Sequence, residues 1–230
     1  MPSVNRRQSG FSLIELAVVL MIVGILTSGI LVTVSQITEG NRRSTALSQL
    51  RMVEEALYGF AQLTGRLPCP AAADSNGLES PADSSGVCDE LHGFVPSATL
   101  GLAGAINNAG QLLDPWQNPY RYVVHDSGTF TSAEKLKAEF ASPSIIESLI
   151  TLASASGCAL ADQVNTSIPA IIISQGANWA TITSADEAEN ADGDYCFVTT
   201  TYSEDNFDDQ LLWLSPYVLF TRMVNAGRLP

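Results

Sequence analysis

FSLIELAVVLMIVGILTSGILVTV, residues 11–34, contains a single charged side chain, Glu15. The 19 residues from Leu16 to Val34 carry none. As a helix rising about 1.5 Å per residue they reach roughly 28 Å, close to the hydrocarbon thickness of a bilayer. The sequence therefore predicts a transmembrane helix over about 16–34. A secretory signal peptide has a shorter apolar core and a small-residue cleavage site after it, and the following SQITEGNRRS offers no such site. Arg6 and Arg7 before the span place the N-terminus in the cytoplasm, with Arg42 and Arg43 beyond it pulling the other way.

Beyond the span, Ile37, Leu47, Leu50, Val53, Leu57, Phe60 and Leu63 are spaced mostly by three or four, the period of a helix with one apolar face. The pattern predicts one helix from Phe11 to about Thr64. Gly65 supplies a stop and Pro68 forbids continuation. The expected class is α+β, a long N-terminal helix packed on an antiparallel β-sheet head.

An acid inside a spanning helix needs a reason. Near the bilayer centre it costs about 2.5–3.5 kcal/mol, so it marks function or finds a partner. For Glu15 two plainer readings compete: a position at headgroup level, and a first-turn carboxylate complementing the helix dipole. The leader adds to this. Arg6-Arg7-Gln8-Ser9-Gly10 followed by Phe11-Ser12-Leu13-Ile14-Glu15 resembles the cleavage and methylation signal of type IV prepilins and type II secretion pseudopilins. The resemblance implies a leader of residues 1–10, a helix over 11–64 and a globular head over 65–230. It implies cleavage between Gly10 and Phe11 by a prepilin peptidase, and methylation of the new Phe11 amine. Glu15 would then pair with that amine on a neighbouring subunit. The implied partners are other pilin-like subunits, the peptidase, an inner-membrane assembly platform and the membrane. The implied location is the bacterial inner membrane, single-pass with a periplasmic head, and then an envelope-spanning or cell-surface filament. Residues 11–67 contain no proline, where many pilins have one in the membrane half.

Three later stretches resemble the same family. Asp114-Pro115-Trp116-Gln117-Asn118-Pro119-Tyr120 matches a D-P-W-x-N-P-Y turn, and the alternating Arg121–Val124 behind it reads as a strand. Ile171–Ala177 resembles a strand ending in S-x-G-A, and Phe207–Trp213 a strand led by paired aspartates. Strands are expected at about 170–174, 195–201 and 210–214. Capping-box spacings at Thr131-x-x-Glu134 and Ser144-x-x-Glu147 predict two short helices. A last helix starts at Ser215-Pro216 and ends near Gly227. A head this large, without the disulfide-closed C-terminus of major pilins, suggests a minor component.

The formal charge is −13, and becomes −15 without Arg6 and Arg7. From Gly65 onward twenty acidic residues face six basic ones, which repels phosphate backbones and argues against nucleic acid as a partner. Cys69, Cys88, Cys158 and Cys196 form no close pair of the kind zinc uses, and suit two disulfides in an oxidising compartment. Of three connectivities, neighbour pairing staples one loop-rich stretch with each bridge, including the Pro-, Ser- and Gly-rich 68–93. Four buried free thiols are the alternative.

His92 and His125 sit in no catalytic motif, and no nucleophile elbow, zinc-protease helix or phosphate loop occurs, so a structural subunit is expected rather than an enzyme. Asp192, Asp194, Asp205, Asp208 and Asp209 gather hard oxygen donors on loops beside strands, a set that calcium takes, though not in EF-hand spacing. Major pseudopilins bind calcium in the corresponding region. The second expectation is accordingly a calcium-dependent binding or adhesive head on the same helix.

Overall fold

The computed structural model describes residues 12–82, 86–125, 128–141, 149–203 and 206–229, with 26–35 as backbone only. Gly10, Phe11, Asp205 and the expected helix at Ser144 lie outside them. The chain divides into two compact units, Met1–Arg43 and Ser44–Pro230, and the boundary falls inside the first helix.

That helix, α1, is Leu13–Thr64, 52 residues. It begins with half of a capping box: the Ser12 amide donates to Glu15 Oε2 at 3.1 Å. Gly65 ends it at φ +83°, a left-handed conformation few other residues adopt, with its N–H on Ala61 O. Arg228 donates from Nε to Gln62 O and from Nη2 to Leu63 O, satisfying two of the last carbonyls. In the first unit ten large apolar side chains between Leu13 and Ile25 are exposed. Among the described residues no helix is long and apolar enough to cross a membrane. Of the expected span 16–34, only 16–25 belongs to the described side chains.

The second unit continues with β1 (His92–Phe94), α2 (Ser97–Leu100), β2 (Arg121–Val124), α3 (Ala133–Ala141), β3 (Thr151–Ala153), β4 (Gln163–Asn165), β5 (Ala170–Ser174), α4 (Ala185–Ala191), β6 (Cys196–Val198), β7 (Gln210–Trp213) and α5 (Pro216–Asn225). A four-stranded antiparallel sheet has the order β1-β2-β5-β7. Strand alternation gives it two apolar faces. Tyr122, Val124, Ala170 and Ile172 meet Leu50, Val53, Leu57, Tyr58 and Ala61 of α1, with Leu219 and Met223 of α5. Val123, Ile171 and Ile173 face the other way, onto Leu152, Ile168 and Phe197.

The second face is covered by a three-stranded sheet β4-β3-β6 in which β3 and β6 run parallel; β6 lies within the strand expected at about 195–201, and β3 and β4 were not expected. The four-stranded sheet is the antiparallel sheet that was expected, and the parallel pairing of β3 with β6 is an addition to it. Parallel pairing needs a long crossover, and here it includes β4, β5 and α4. The α1 stripe is corrected. Ala46, Leu50, Val53, Leu57 and Ala61 are buried, whereas Leu63 is 73% exposed, two positions past Ala61 and so on the opposite side of the helix.

Disulfides join Cys69 to Cys88 and Cys158 to Cys196, the neighbour pairing. By loop length alone they restrict the unfolded chain by about 3 and about 4 kcal/mol. The first closes the 68–93 loop, which also bridges Ala71 to Phe94 of β1. Arg66, just before the loop, and Glu79 within it form a two-pronged pair at 2.7 Å, their side chains 6% and 8% exposed, and Glu79 also accepts from the Cys69 amide. A second two-pronged pair, Arg222 with Glu55, stands mostly in water.

Removing one member of a buried pair strands a charge, whereas an exposed pair contributes little. Glu79→Ala is expected to lower unfolding free energy by about 3–5 kcal/mol. Glu55→Ala is expected to lower it by less than about 1 kcal/mol, both read from urea denaturation of the full chain.

Candidate functional site

The most chemically loaded place in the second unit lies where β5 and β7 meet α4. It begins at the Asp114 turn. Asp114 Oδ1 accepts the amides of Trp116 and Asn118, each at 2.9 Å, and its Oδ2 accepts the Ser174 hydroxyl at 2.7 Å. Asn118 Nδ2 donates to Gly176 O at 2.6 Å. One buried carboxylate thus ties the turn to the end of β5 and fixes the Ser174–Ala177 segment. Burial pushes the Asp114 carboxyl above its usual range.

Against that segment lies Asp208. Its Oδ2 accepts the Ala177 amide at 2.7 Å. A Cβ on Gly176, which sits at φ +63°, would fall 2.1 Å from Asp208 Oδ1. Only a glycine admits the carboxylate there.

The third component comes from α4. Ser184 caps it, its hydroxyl accepting the Asp186 and Glu187 amides. Glu187 does not reach back to the cap. Its Oε1 accepts the Asp208 amide at 2.7 Å and its Oε2 accepts Asn178 Nδ2 at 2.8 Å. One turn on, Asn190 exchanges hydrogen bonds with Val198 of β6 and donates to Asp209 Oδ2 at 2.8 Å. Carboxylate oxygens of Glu187, Asp208 and Asp209 come within 4.8 Å of one another, and all three side chains are largely withdrawn from water.

Close, buried like charges raise one another's proton affinity. Burial, and then Glu187 nearby, pushes Asp208 up to about 6. Burial, and then Glu187 and Asp208, pushes Asp209 up to about 7. Two buried oxygens here have no hydrogen-bond partner: Asp208 Oδ1 and Asn178 Oδ1. Both are acceptors. A buried acceptor without a donor costs about 1–3 kcal/mol, and protons or a hard cation supply what is missing. The arrangement can therefore hold protons below neutrality and exchange them for a divalent cation above it.

Of the aspartates singled out from sequence, the fold brings Asp208 and Asp209 together. Asp192 and Asp194 group instead with Glu189, at positions half to fully exposed. There Asp192 accepts the Asp194 amide and Asp194 the Cys196 amide, which is turn-stabilising work. Glu187 was missed, although Ser184-x-x-Glu187 has capping-box spacing and announces a helix start. His125 Nδ1 accepts the Leu149 amide at 2.8 Å, and His92 packs on the rings of Tyr195 and Phe197. Glu15 is exposed in the first turn of α1.

The family model for the prokaryotic N-terminal methylation motif matches residues 5–31. That motif is the signature of type IV pilins and pseudopilins. No curated protein and no solved structure matches the chain.

A carboxyl whose folded-state pKa is raised stabilises the fold while protonated, fully so below the unfolded value near 4 and no longer once pH has passed the folded value. With a chelator present, the melting temperature is expected to fall as pH rises from about 4 through about 7, the window set by Asp208 and Asp209. Asp209→Asn flattens the upper part of that fall in a calorimetric pH series.

Proposed function

We propose that this chain is a minor structural subunit of a type IV pilus or a type II secretion-like filament. A prepilin peptidase cuts it between Gly10 and Phe11, and it assembles through the first part of α1. The observation that carries the reading is the methylation motif over residues 5–31. It is supported by the ten exposed apolar side chains between Leu13 and Ile25, a surface that water does not tolerate and that lipid or neighbouring helices cover. Such a helix anchors the subunit in the inner membrane, with its N-terminus cytoplasmic, until it joins the filament.

Glu15 gives the assembly its register. Its Oε2 serves Ser12 of the same chain, and a carboxylate has lone pairs for a further donor, the freed Phe11 amine of a neighbour. Mass spectrometry of protein from the native host should find a mature N-terminus at methylated Phe11. Glu15→Leu should remain membrane-bound and be lost from filaments by at least about tenfold, since an uncompensated buried charge costs several kcal/mol. A Met1 start in cells with active peptidase, or normal incorporation of Glu15→Leu, overturns the reading.

A second reading, calcium in the head, is favoured by the two acceptor oxygens without donors, Asp208 Oδ1 and Asn178 Oδ1, beside Glu187 and Asp209. The ligands would come from α4, the Ala177–Asn178 loop and the start of β7, so occupancy orders the head and prepares it for a surface partner. At pH 7.5, calcium chloride at about a hundred times its dissociation constant should stabilise chelator-treated full chain by about 2.7 kcal/mol, seen as a higher melting temperature. Asp209→Asn should lose most of that response. A melt unchanged between calcium and chelator removes the site.

A further inference from the structure

β7 is the outermost strand of the four-stranded sheet, paired with β5 on one side. The Leu214 amide donates to Ala170 O, which fixes the phase of the ladder. In an antiparallel pair, residues alternate between facing the partner and facing away. Gln210 and Leu212 therefore bond to β5, and the backbone N–H and C=O of Leu211 and Trp213 point out of the sheet. At the opposite edge, β1 is covered where Ala71 bridges Phe94 within the disulfide-closed loop. Among the described residues β7 has no such cover. Proteins usually blunt an open edge with charge, proline or a bulge, and Gln210-Leu211-Leu212-Trp213 has none of these.

Beside this edge lies a cavity of about 280 Å³ lined by Glu54, Leu211, Leu212 and Trp213. Its one charged wall is Glu54. Burial, and then Glu55, raises the Glu54 carboxyl above its usual range despite Arg222, the Tyr58 hydroxyl and Arg51, and Arg222 gives its guanidinium to Glu55. A cation entering the cavity would satisfy Glu54. The second copy of this chain is a poor source, because twenty acidic residues against six basic ones beyond Gly65 set two such surfaces in repulsion.

We propose that the open edge of β7 is a docking site for an extended segment of a different protein, carrying Lys or Arg among β-branched residues. The segment adds a fifth strand on Leu211 and Trp213, sets an apolar side chain beside Trp213 on one face, and on the Leu212 face brings its cation to Glu54 of α1. Main-chain bonds supply affinity and the cavity supplies selection, the usual division of labour when a strand is added to a sheet edge. This surface does not depend on the filament reading or on calcium.

The test uses the full chain in detergent micelles and a display library of random decapeptides. Recovered peptides should alternate β-branched residues with Lys or Arg, and one of them, added to the chain, should slow amide exchange at Leu211 and Trp213. Leu211→Pro removes an outward N–H, which an edge strand tolerates, together with one side chain of the cavity lining, and should weaken that peptide by at least about tenfold. Glu54→Gln lies on the α1 surface and should weaken it by a similar factor and abolish its salt dependence, deciding the matter if the proline variant fails to fold. The proposal is overturned if no peptide is enriched, if recovered peptides bind both variants as tightly as the parent, or if the protected amides lie elsewhere. Protection of Leu211 and Trp213 by self-association without peptide also overturns it, in favour of a second copy.

Discussion

A sheet that is apolar on both faces cannot stand with one side in water, and the four-stranded sheet here is such a sheet. Tyr122 and Ile172 point one way, Val123, Ile171 and Ile173 the other, and all five are buried. Burying a large apolar side chain contributes about 1.5–3 kcal/mol, so both faces recruit a cover. On one side the cover is the second half of α1 with α5. On the other it is the smaller sheet of β3, β4 and β6. The acidic cluster and the open edge of β7 both lie where these layers end.

The acidic cluster is one of those ends. β5 and β7 stop beside each other at Ser174 and Gln210, and α4 crosses nearby with Asn190 hydrogen-bonded to β6. The cluster is thus built on all three parts of the two-sheet core, which is why its charges are held close despite their repulsion. Asp114 has the quieter part: one carboxylate, buried and fully engaged, holds the Gly176 turn against which Asp208 rests.

What was legible in the sequence followed from local rules. The helix stop at Gly65, the strands at Arg121–Val124, Ala170–Ser174 and Gln210–Trp213, and the start of α5 at Ser215-Pro216 each have a signal within a few residues. Of the second sheet only β6 was legible, inside the strand expected at about 195–201; β3 and β4 were not, because they are three residues each and β3 finds its partner β6 forty-odd positions away. Two of the three carboxylates of the acidic cluster were visible as Asp208-Asp209. Glu187 was hidden because its spacing from Ser184 has a sufficient local explanation, the capping box, and the fold uses the side chain elsewhere. The small error in the α1 stripe has the same origin: a three-or-four spacing admits Leu63, and only the drift of a real helix over several turns excludes it.

The first part of α1 shows why one carboxylate can matter more than ten apolar side chains. The hydrophobic effect drives Leu13 to Ile25 out of water with equal force whether the cover is lipid or another helix, since both are hydrocarbon. It supplies strength and no address. A polar group in that environment does discriminate, because lipid tails offer it nothing and a correctly placed donor offers it a charge-assisted bond. The Ser12 amide already occupies part of the Glu15 carboxylate and fixes its direction at the helix start. In the proposed filament the remaining lone pairs are therefore presented from a set position, so that axial register is selected by a single acid and binding strength by its apolar neighbours.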